Sequence, residues 1–106
     1  MSEVKYFPDW QEQVTFVPDG PKPNFVEDND KIRVIMAGLE AGQKIPQHPE
    51  SMAVYHFLAG NGWMTVNGER FAVSAGSTIY MPAGSVRGME AETKMAFLAV
   101  RVAPQE

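Results

Sequence analysis

Closely spaced glycine turns are the feature of this sequence that most restricts its fold. From Lys31 onward they recur about every eight to twelve residues and separate short runs of β-favouring residues. The runs predicted as strands are 32–39, 52–59, 63–66, 69–73, 78–81, 86–89 and 94–102. No stretch has a convincing helical period. The pattern therefore predicts an all-β fold, an antiparallel sandwich or barrel.

Two turns carry the most specific information. Asn67-Gly68 predicts a two-residue hairpin turn, because both residues tolerate a positive φ. The stretch 76–88 reads as a glycine turn, a strand at 78–81, a turn at Pro82-Ala-Gly84 and the start of another strand. Arg87 follows that turn, at a position from which a side chain can point into the space enclosed by the sheet.

Composition limits the classes of function. The 106 residues suit one domain, and the net charge of -4 with nine scattered basic residues disfavours nucleic acid or an anionic membrane surface as a partner. The absence of cysteine excludes disulfides, thiolate nucleophiles, Cys-ligated zinc and iron–sulfur clusters. The sequence has no run of eighteen or more apolar residues, so a cytoplasmic location is the expectation.

The first thirty residues differ from the rest. Four prolines interrupt them around a short predicted strand at 14–17, so we expect residues 1–30 to form an arm over a barrel of residues 31–106. Trp10, Phe16 and Phe25 are its expected docking points, on the barrel or on a second subunit. The runs at 32–39, 52–59 and 94–102 are apolar on both faces and need cover on both sides. A homodimer is therefore expected.

The stretch from Gly42 to Arg87 resembles a small single-domain cupin of the RmlC-like jelly-roll family, which implies a double-stranded β-helix barrel. The second cupin motif is glycine, five residues, proline, any residue, glycine, two residues and histidine. Gly76, Pro82 and Gly84 match that spacing, and Arg87 stands in the place of the histidine.

The first cupin motif matches less fully. It begins with a glycine, five residues and a His-x-His pair, and here Gly42 and His48 match the opening. Glu50 then takes the second histidine position, two residues are missing from the loop, and Ala53 takes the glutamate position. A register counted back from Gly60 instead makes His48 the second histidine and Pro46 the first; the first register keeps the glycine spacing and is preferred.

The resemblance implies a first-row metal held by three histidines and a glutamate. Of these ligands only His48 matches, with Glu50 as a carboxylate substitute, and an arginine has no lone pair to donate. We therefore expect no metal cofactor. The alternative is a divalent first-row metal ion at His48 and Glu50.

The site residues follow from motif position. Arg87 is predicted to point inward and to anchor an anion or pair with Glu50; the alternative is an exposed arginine at a strand start. His48 and Glu50 share one face of an extended chain and would form a polar mouth for general acid or base chemistry, or lie in a loop. Tyr55, Phe57 and Tyr80 are the predicted walls. His56, on the opposite face, is predicted to be a packing or interface residue.

These residues predict a protein that binds a small organic molecule in the barrel without the usual metal, and an acidic one if Arg87 is its anchor. The alternatives are a metal-dependent cupin oxygenase or isomerase with an unorthodox His/Glu site, a metal-free isomerase or epimerase with His48 as base, and an interaction module without a ligand. Fold-level resemblance does not choose the substrate, because cupin barrels carry many unrelated activities.

Overall fold

The computed structural model describes residues 3–103. One short 3₁₀ helix, Trp10–Gln13, precedes nine strands. The strands are β1 Asn24–Asp28, β2 Ile32–Leu39, β3 Lys44–Pro49, β4 Ala53–Ala59, β5 Asn61–Val66, β6 Glu69–Ser74, β7 Thr78–Met81, β8 Val86–Ala91 and β9 Met95–Val102. No helix within residues 3–103 is long and apolar enough to cross a membrane.

Two antiparallel sheets face each other and enclose the core. The five-stranded sheet has the order β1-β2-β9-β4-β7, and the four-stranded sheet has the order β3-β8-β5-β6. Alternate residues of β2, β8 and β9 point into this core, and the largest fully buried apolar side chains are Leu39, Phe57, Met64, Met81 and Met95. The predicted all-β, antiparallel jelly-roll architecture is confirmed.

The predicted hairpin at Asn67-Gly68 is also confirmed, since Asn67 has a φ of 51° and Gly68 a φ of 86°. Asn67 has a second role. Its amide donates to the carbonyl of Val86, and its side-chain oxygen accepts from the Val86 amide at 2.9 Å. The hairpin thereby fixes the start of β8, the strand that carries Arg87.

Two strands form where the pattern predicts none. β3 contains Pro46 and Pro49, and β1 lies within the predicted arm. Both are edge strands with one neighbour each, and a proline that lacks an N–H is tolerated at such an edge. The stretch at 14–17, predicted as a strand, contributes only a single bridge between Thr15 and Lys22.

The N-terminal arm packs on the outer face of the five-stranded sheet before it enters that sheet as β1. Phe16 lies against Gly38, where a Cβ atom would clash with its ring, and Lys94 stacks over the same ring at 4.3 Å. Trp10 lies beside Phe16 in a surface depression. Phe25 belongs to β1 and pairs with Ile35 of β2.

Candidate functional site

The turn at Pro82–Ser85 holds together the two segments that carry the predicted site residues, the segment after β3 and the segment before β8. The Ser85 hydroxyl donates to the Pro82 carbonyl at 2.6 Å and closes the turn. The Gly84 amide donates to the Glu50 carbonyl at 2.8 Å, and the Glu50 amide donates back to the Ser85 carbonyl at 3.3 Å. Gly84 can adopt its φ of 83° without strain because it has no side chain. This exchange holds the segment after β3 against the segment before β8.

Arg87 points into the protein, and only 2% of its surface is exposed. It lies opposite His48 in the β3–β8 pairing. Nη2 donates to the Ser51 carbonyl at 2.7 Å, and the guanidinium carbon lies 5.9 Å from the centre of the Tyr55 ring. Nε and Nη1 are buried and have no hydrogen-bond partner in the described part of the chain. Arg87 is therefore a buried cation without a buried counter-ion among residues 3–103.

His48, Glu50 and Arg101 form an ion cluster at the mouth of the barrel. Oε2 of Glu50 forms an ion pair with Arg101 Nη1 at 2.9 Å and lies 3.1 Å from His48 Nε2. The other ring nitrogen of His48, Nδ1, lies 2.8 Å from the Pro46 carbonyl. A neutral imidazole has one N–H and can donate to only one of these two acceptors, so both bonds form together only when the ring is doubly protonated.

A cavity of about 320 Å³ opens between β1, β3 and the inner face of the five-stranded sheet. Its walls are mostly apolar and include three aromatic rings, Phe25, Tyr55 and Phe97, of which the last two are stacked at 5.2 Å. Lys44, His48 and Arg101 supply its polar groups. The further lining residues are Pro21, Pro23, Ile35, Ala37, Ile45 and Pro46.

A much smaller void of about 10 Å³ lies next to Arg87. It shares three lining residues with the large cavity: Ile45, His48 and Tyr55. These three side chains therefore form the partition between the large cavity and the buried guanidinium.

The three predicted wall residues, Tyr55, Phe57 and Tyr80, lie in three different parts of the structure. Tyr55 lines both the cavity and the void. Phe57 is fully buried in the core and packs on Phe97 rather than lining the cavity. Tyr80 is 59% exposed on the outside of the barrel, because the alternation of β7 turns its neighbour Met81 inward instead. Tyr80 therefore lines neither the cavity nor the void next to Arg87.

The remaining predicted residues, His48, Glu50 and His56, do not lie together in one site. The structure brings His48 and Glu50 together, but Glu50 pairs with Arg101 rather than with Arg87. His56 lies on the outer face, where its Nδ1 is 2.7 Å from the Thr78 hydroxyl.

Arg101 is the site residue that the sequence pattern did not reveal. It lines the cavity, and its side chain is mostly buried. The period of two along β9 contains a signal that could have identified it, because Arg101 shares a face with Phe97 and Ala99, both of which are inward. Because both faces of β9 carry apolar residues, the sequence of this strand does not alternate between apolar and polar residues, and the inward direction of Arg101 is not evident from it.

The donors at this site do not fit the metal-ligand set that the cupin resemblance implies. Within residues 3–103 no group of three or more His, Cys, Asp or Glu residues could hold a metal ion. Both ring nitrogens of His48 lie within hydrogen-bond distance of other acceptors, and Glu50 is shared with Arg101. Arg87 occupies the second-motif position with no lone pair to offer.

Comparison with known proteins identifies relatives of the fold. The family model described as the Cupin domain matches residues 33–101. A search of the curated proteins finds no significant match. A conserved protein of unknown function from Streptococcus pyogenes is 25% identical, with a TM-score of 0.84 over 100% of this chain and 93% of that one. An RmlC-like cupin from Desulfovibrio desulfuricans is 23% identical, with a TM-score of 0.84 over 96% and 98% of the two chains.

A dioxygenase is a more distant structural neighbour. A single-residue mutant of salicylate 1,2-dioxygenase from Pseudoaminobacter salicylatoxidans has a TM-score of 0.73 and 19% identity, and the match covers 86% of this chain and 29% of that one. At this level of identity the similarity concerns the fold alone.

Proposed function

Because the chain belongs to the cupin domain family, we propose that its barrel binds a small organic acid, with Arg87 as the group that receives the acid's anionic oxygen atoms. The observation that carries this proposal is the burial of Arg87 with two guanidinium nitrogens that have no partner among residues 3–103. His48 and Arg101 would bind polar groups of the ligand at the mouth of the cavity.

The burial of Arg87 favours an anionic ligand. Removing a guanidinium from water without a counter-ion costs several kcal/mol even after the protein has relaxed. One hydrogen bond to a backbone carbonyl and one aromatic ring offset part of that cost. A carboxylate can accept two parallel bonds from a guanidinium, here from Nη2 and from one of the two nitrogens that are now without a partner.

The cavity supports a ligand with an apolar body. Its volume of about 320 Å³ lies at the lower end of the range of about 300–1,000 Å³ that small-molecule sites occupy. Aromatic and aliphatic walls suit a ring or a short hydrocarbon chain. Glu50 neutralises Arg101 at the mouth, so the basic group that would favour the entry of an acid is Lys44, which forms no ion pair among residues 3–103.

The void at Arg87 sets a condition on binding. At about 10 Å³ it has room for no more than about one water molecule, and a carboxylate is larger. The acid must therefore displace part of the partition formed by Ile45, His48 and Tyr55. Binding should be visible as a structural change in these residues.

Nuclear magnetic resonance titration with matched acids and amides tests the proposal. Benzoate, phenylacetate and hexanoate would be compared with benzamide, phenylacetamide and hexanamide, which have similar shapes and no charge. We expect at least one acid to shift the Arg87 Nε–H signal and the amides of Ile45 and Tyr55, while its amide leaves them unchanged. Equal shifts by acid and amide, or no shift by any acid, would contradict the proposal.

Substitution of the anchor provides the second arm of the experiment. Arg87→Met keeps a long side chain and removes the charge, and we expect it to weaken binding of the acid at least tenfold, equivalent to about 1.4 kcal/mol. Arg70→Met is the matched control, since Arg70 stacks on Trp63 outside the cavity. Unchanged affinity in Arg87→Met would remove the anchoring role.

A further inference from the structure

The void next to Arg87 differs from the cavity in both size and chemistry. Its volume is about 10 Å³, against about 320 Å³ for the cavity. Arg87 lines it and is only 2% exposed, so a group placed there meets a buried positive charge. Within residues 3–103 no Asp or Glu lines the void, and the charge of Arg87 has no acidic partner there. The void therefore favours an anion.

The rest of the lining is mostly apolar. Ile45, Met64 and Met89 contribute their side chains, and the two methionines belong to the buried core. Tyr55 and His48 are the other lining residues with polar side-chain groups. Both ring nitrogens of His48 already lie within hydrogen-bond distance of other acceptors. These walls therefore offer few hydrogen-bond acceptors to a molecule bound in the void.

Hydrogen bonding separates the possible occupants of the void. Nε and Nη1 of Arg87 are donors without a partner among residues 3–103, so the occupant must accept hydrogen bonds. A water molecule can accept one, but its own two hydrogens need acceptors that a guanidinium and apolar walls do not supply. Water would also leave the buried charge of Arg87 uncompensated. An anion accepts the hydrogen bonds, has no hydrogens to satisfy and supplies the opposite charge.

The volume of the void selects an anion of one atom. Carboxylate, sulfate and phosphate groups each contain three or more heavy atoms, whereas the void has room for about one water molecule. Chloride and bromide are single atoms of comparable size to water. A halide ion therefore fits the charge, the hydrogen bonding and the volume of the void together.

We propose that the void next to Arg87 is a halide site, in which chloride binds one edge of the guanidinium as its counter-ion. The ion would accept hydrogen bonds from Nη2, which also donates to the Ser51 carbonyl, and from either Nε or Nη1. The halide site itself requires no organic acid. Its second role rests on the proposed function: an acid that reaches Arg87 must displace the ion, so chloride and the acid compete.

Nuclear magnetic resonance titration without any acid tests the halide site. Sodium chloride would replace sodium methanesulfonate at constant ionic strength, so that only the size of the anion changes. We expect saturable shifts of the Arg87 Nε–H signal and of the Met64 and Met89 methyl signals, half complete at about 1–100 mM chloride, which is the range for two charge-assisted hydrogen bonds less the cost of dehydrating the ion. Arg87→Met should abolish the methyl shifts and Arg70→Met should keep them. Shifts that do not saturate, or that persist in Arg87→Met, would overturn the proposal.

Crystals of the wild-type protein grown in sodium bromide keep the proposal testable if Arg87→Met does not fold. Bromide scatters X-rays anomalously and water does not, so the two occupants can be distinguished. We expect an anomalous peak inside the void, within hydrogen-bond distance of the Arg87 guanidinium. Peaks confined to the protein surface would mean an adventitious ion only and would overturn the proposal, as would a void that contains water and no anomalous peak.

Competition between chloride and an acid separates this inference from the proposed function. With a chloride Kd of about 10 mM, about 100 mM chloride should raise the apparent Kd of benzoate, phenylacetate or hexanoate about tenfold relative to methanesulfonate. An acid that binds equally well in both salts would overturn the halide site while the acid site remained. Saturable binding of chloride to a protein that binds none of the three acids would support the halide site and overturn the proposed function.

Discussion

Replacing Arg87 by methionine should increase the free energy of unfolding, because burial of the charged arginine side chain destabilises the folded protein. The buried guanidinium has two nitrogens without a partner among residues 3–103, and relief of each such group is worth about 1–3 kcal/mol. Removal of the unpaired charge from the interior adds to that gain.

The substitution also removes favourable contacts. The charged hydrogen bond to Ser51 contributes about 1.5–3 kcal/mol, and the approach of the guanidinium to Tyr55 contributes about 1 kcal/mol. A methionine side chain of similar length keeps much of the packing. The balance is an increase of about 1–3 kcal/mol in the free energy of unfolding, or about 4 °C in Tm for each kcal/mol.

Urea denaturation followed by tryptophan fluorescence measures this change. The midpoint should rise in Arg87→Met without a change in the m-value, while Arg70→Met on the surface should stay within about 0.5 kcal/mol of wild type. A loss of more than about 1 kcal/mol in Arg87→Met would refute the reasoning. It would mean that the guanidinium is satisfied in the folded protein and stabilises it, and the case for an anionic ligand would lose its main support.

Three further predictions concern the surroundings of this site and the arm. Glu50→Gln leaves the mostly buried Arg101 without its carboxylate and should lower the free energy of unfolding by about 1–3 kcal/mol in the same assay, whereas Glu69→Gln on exposed β6 should have no measurable effect. The hydrogen bonds from Lys5 and Asn29 hold the pKa of Glu27 below its ordinary value of 4.5, and the hydrogen bond to Glu27 raises the pKa of Lys5 above 10.5. The arm attachment should therefore be complete between about pH 5 and 10, and it should weaken as the pH falls through the lowered pKa of Glu27 or rises through the raised pKa of Lys5. In a nuclear magnetic resonance titration, the amide signals of the arm should then move toward random-coil positions. Signals that do not change with pH would contradict the pairing. Stoichiometric Fe²⁺, Mn²⁺, Ni²⁺ or Zn²⁺ added to protein purified without chelator should leave Tm unchanged, and a rise of several degrees would revive the metal-dependent enzyme.

The sequence is most informative about the fold where its turns require particular residues. Asn67-Gly68 defines a hairpin because few other dipeptides adopt positive φ at both positions, and the structure has this turn. The strand bounds at 32–39 and 78–81 agree with the structure for the same reason, since each run ends at residues that favour turns. Local chemistry determines these features, so local patterns reveal them.

β3 and Arg101 lacked such local signals. Prolines at 46 and 49 make β3 resemble a loop, and only the position of this strand at the edge of its sheet, a property of the whole fold, makes them tolerable. The inward direction of Arg101 depends on the pairing of β9 with two neighbours. Tyr80 lies outside the barrel because of the register of the four-residue strand β7. A slip of one residue in that register would turn Tyr80 inward.

The edge position of β3 has a consequence for how a ligand reaches Arg87. This strand is bonded to β8 alone, its pairing is irregular between Ile45 and His48, and its prolines donate no hydrogen bonds. Local opening is easiest where few backbone bonds must break. β3 carries two of the three residues that separate the cavity from the guanidinium, so we expect local opening of this strand to give the proposed acid access to Arg87. Hydrogen exchange of the Ile45 and His48 amides should then be faster than that of the core strands and should slow when an acid binds.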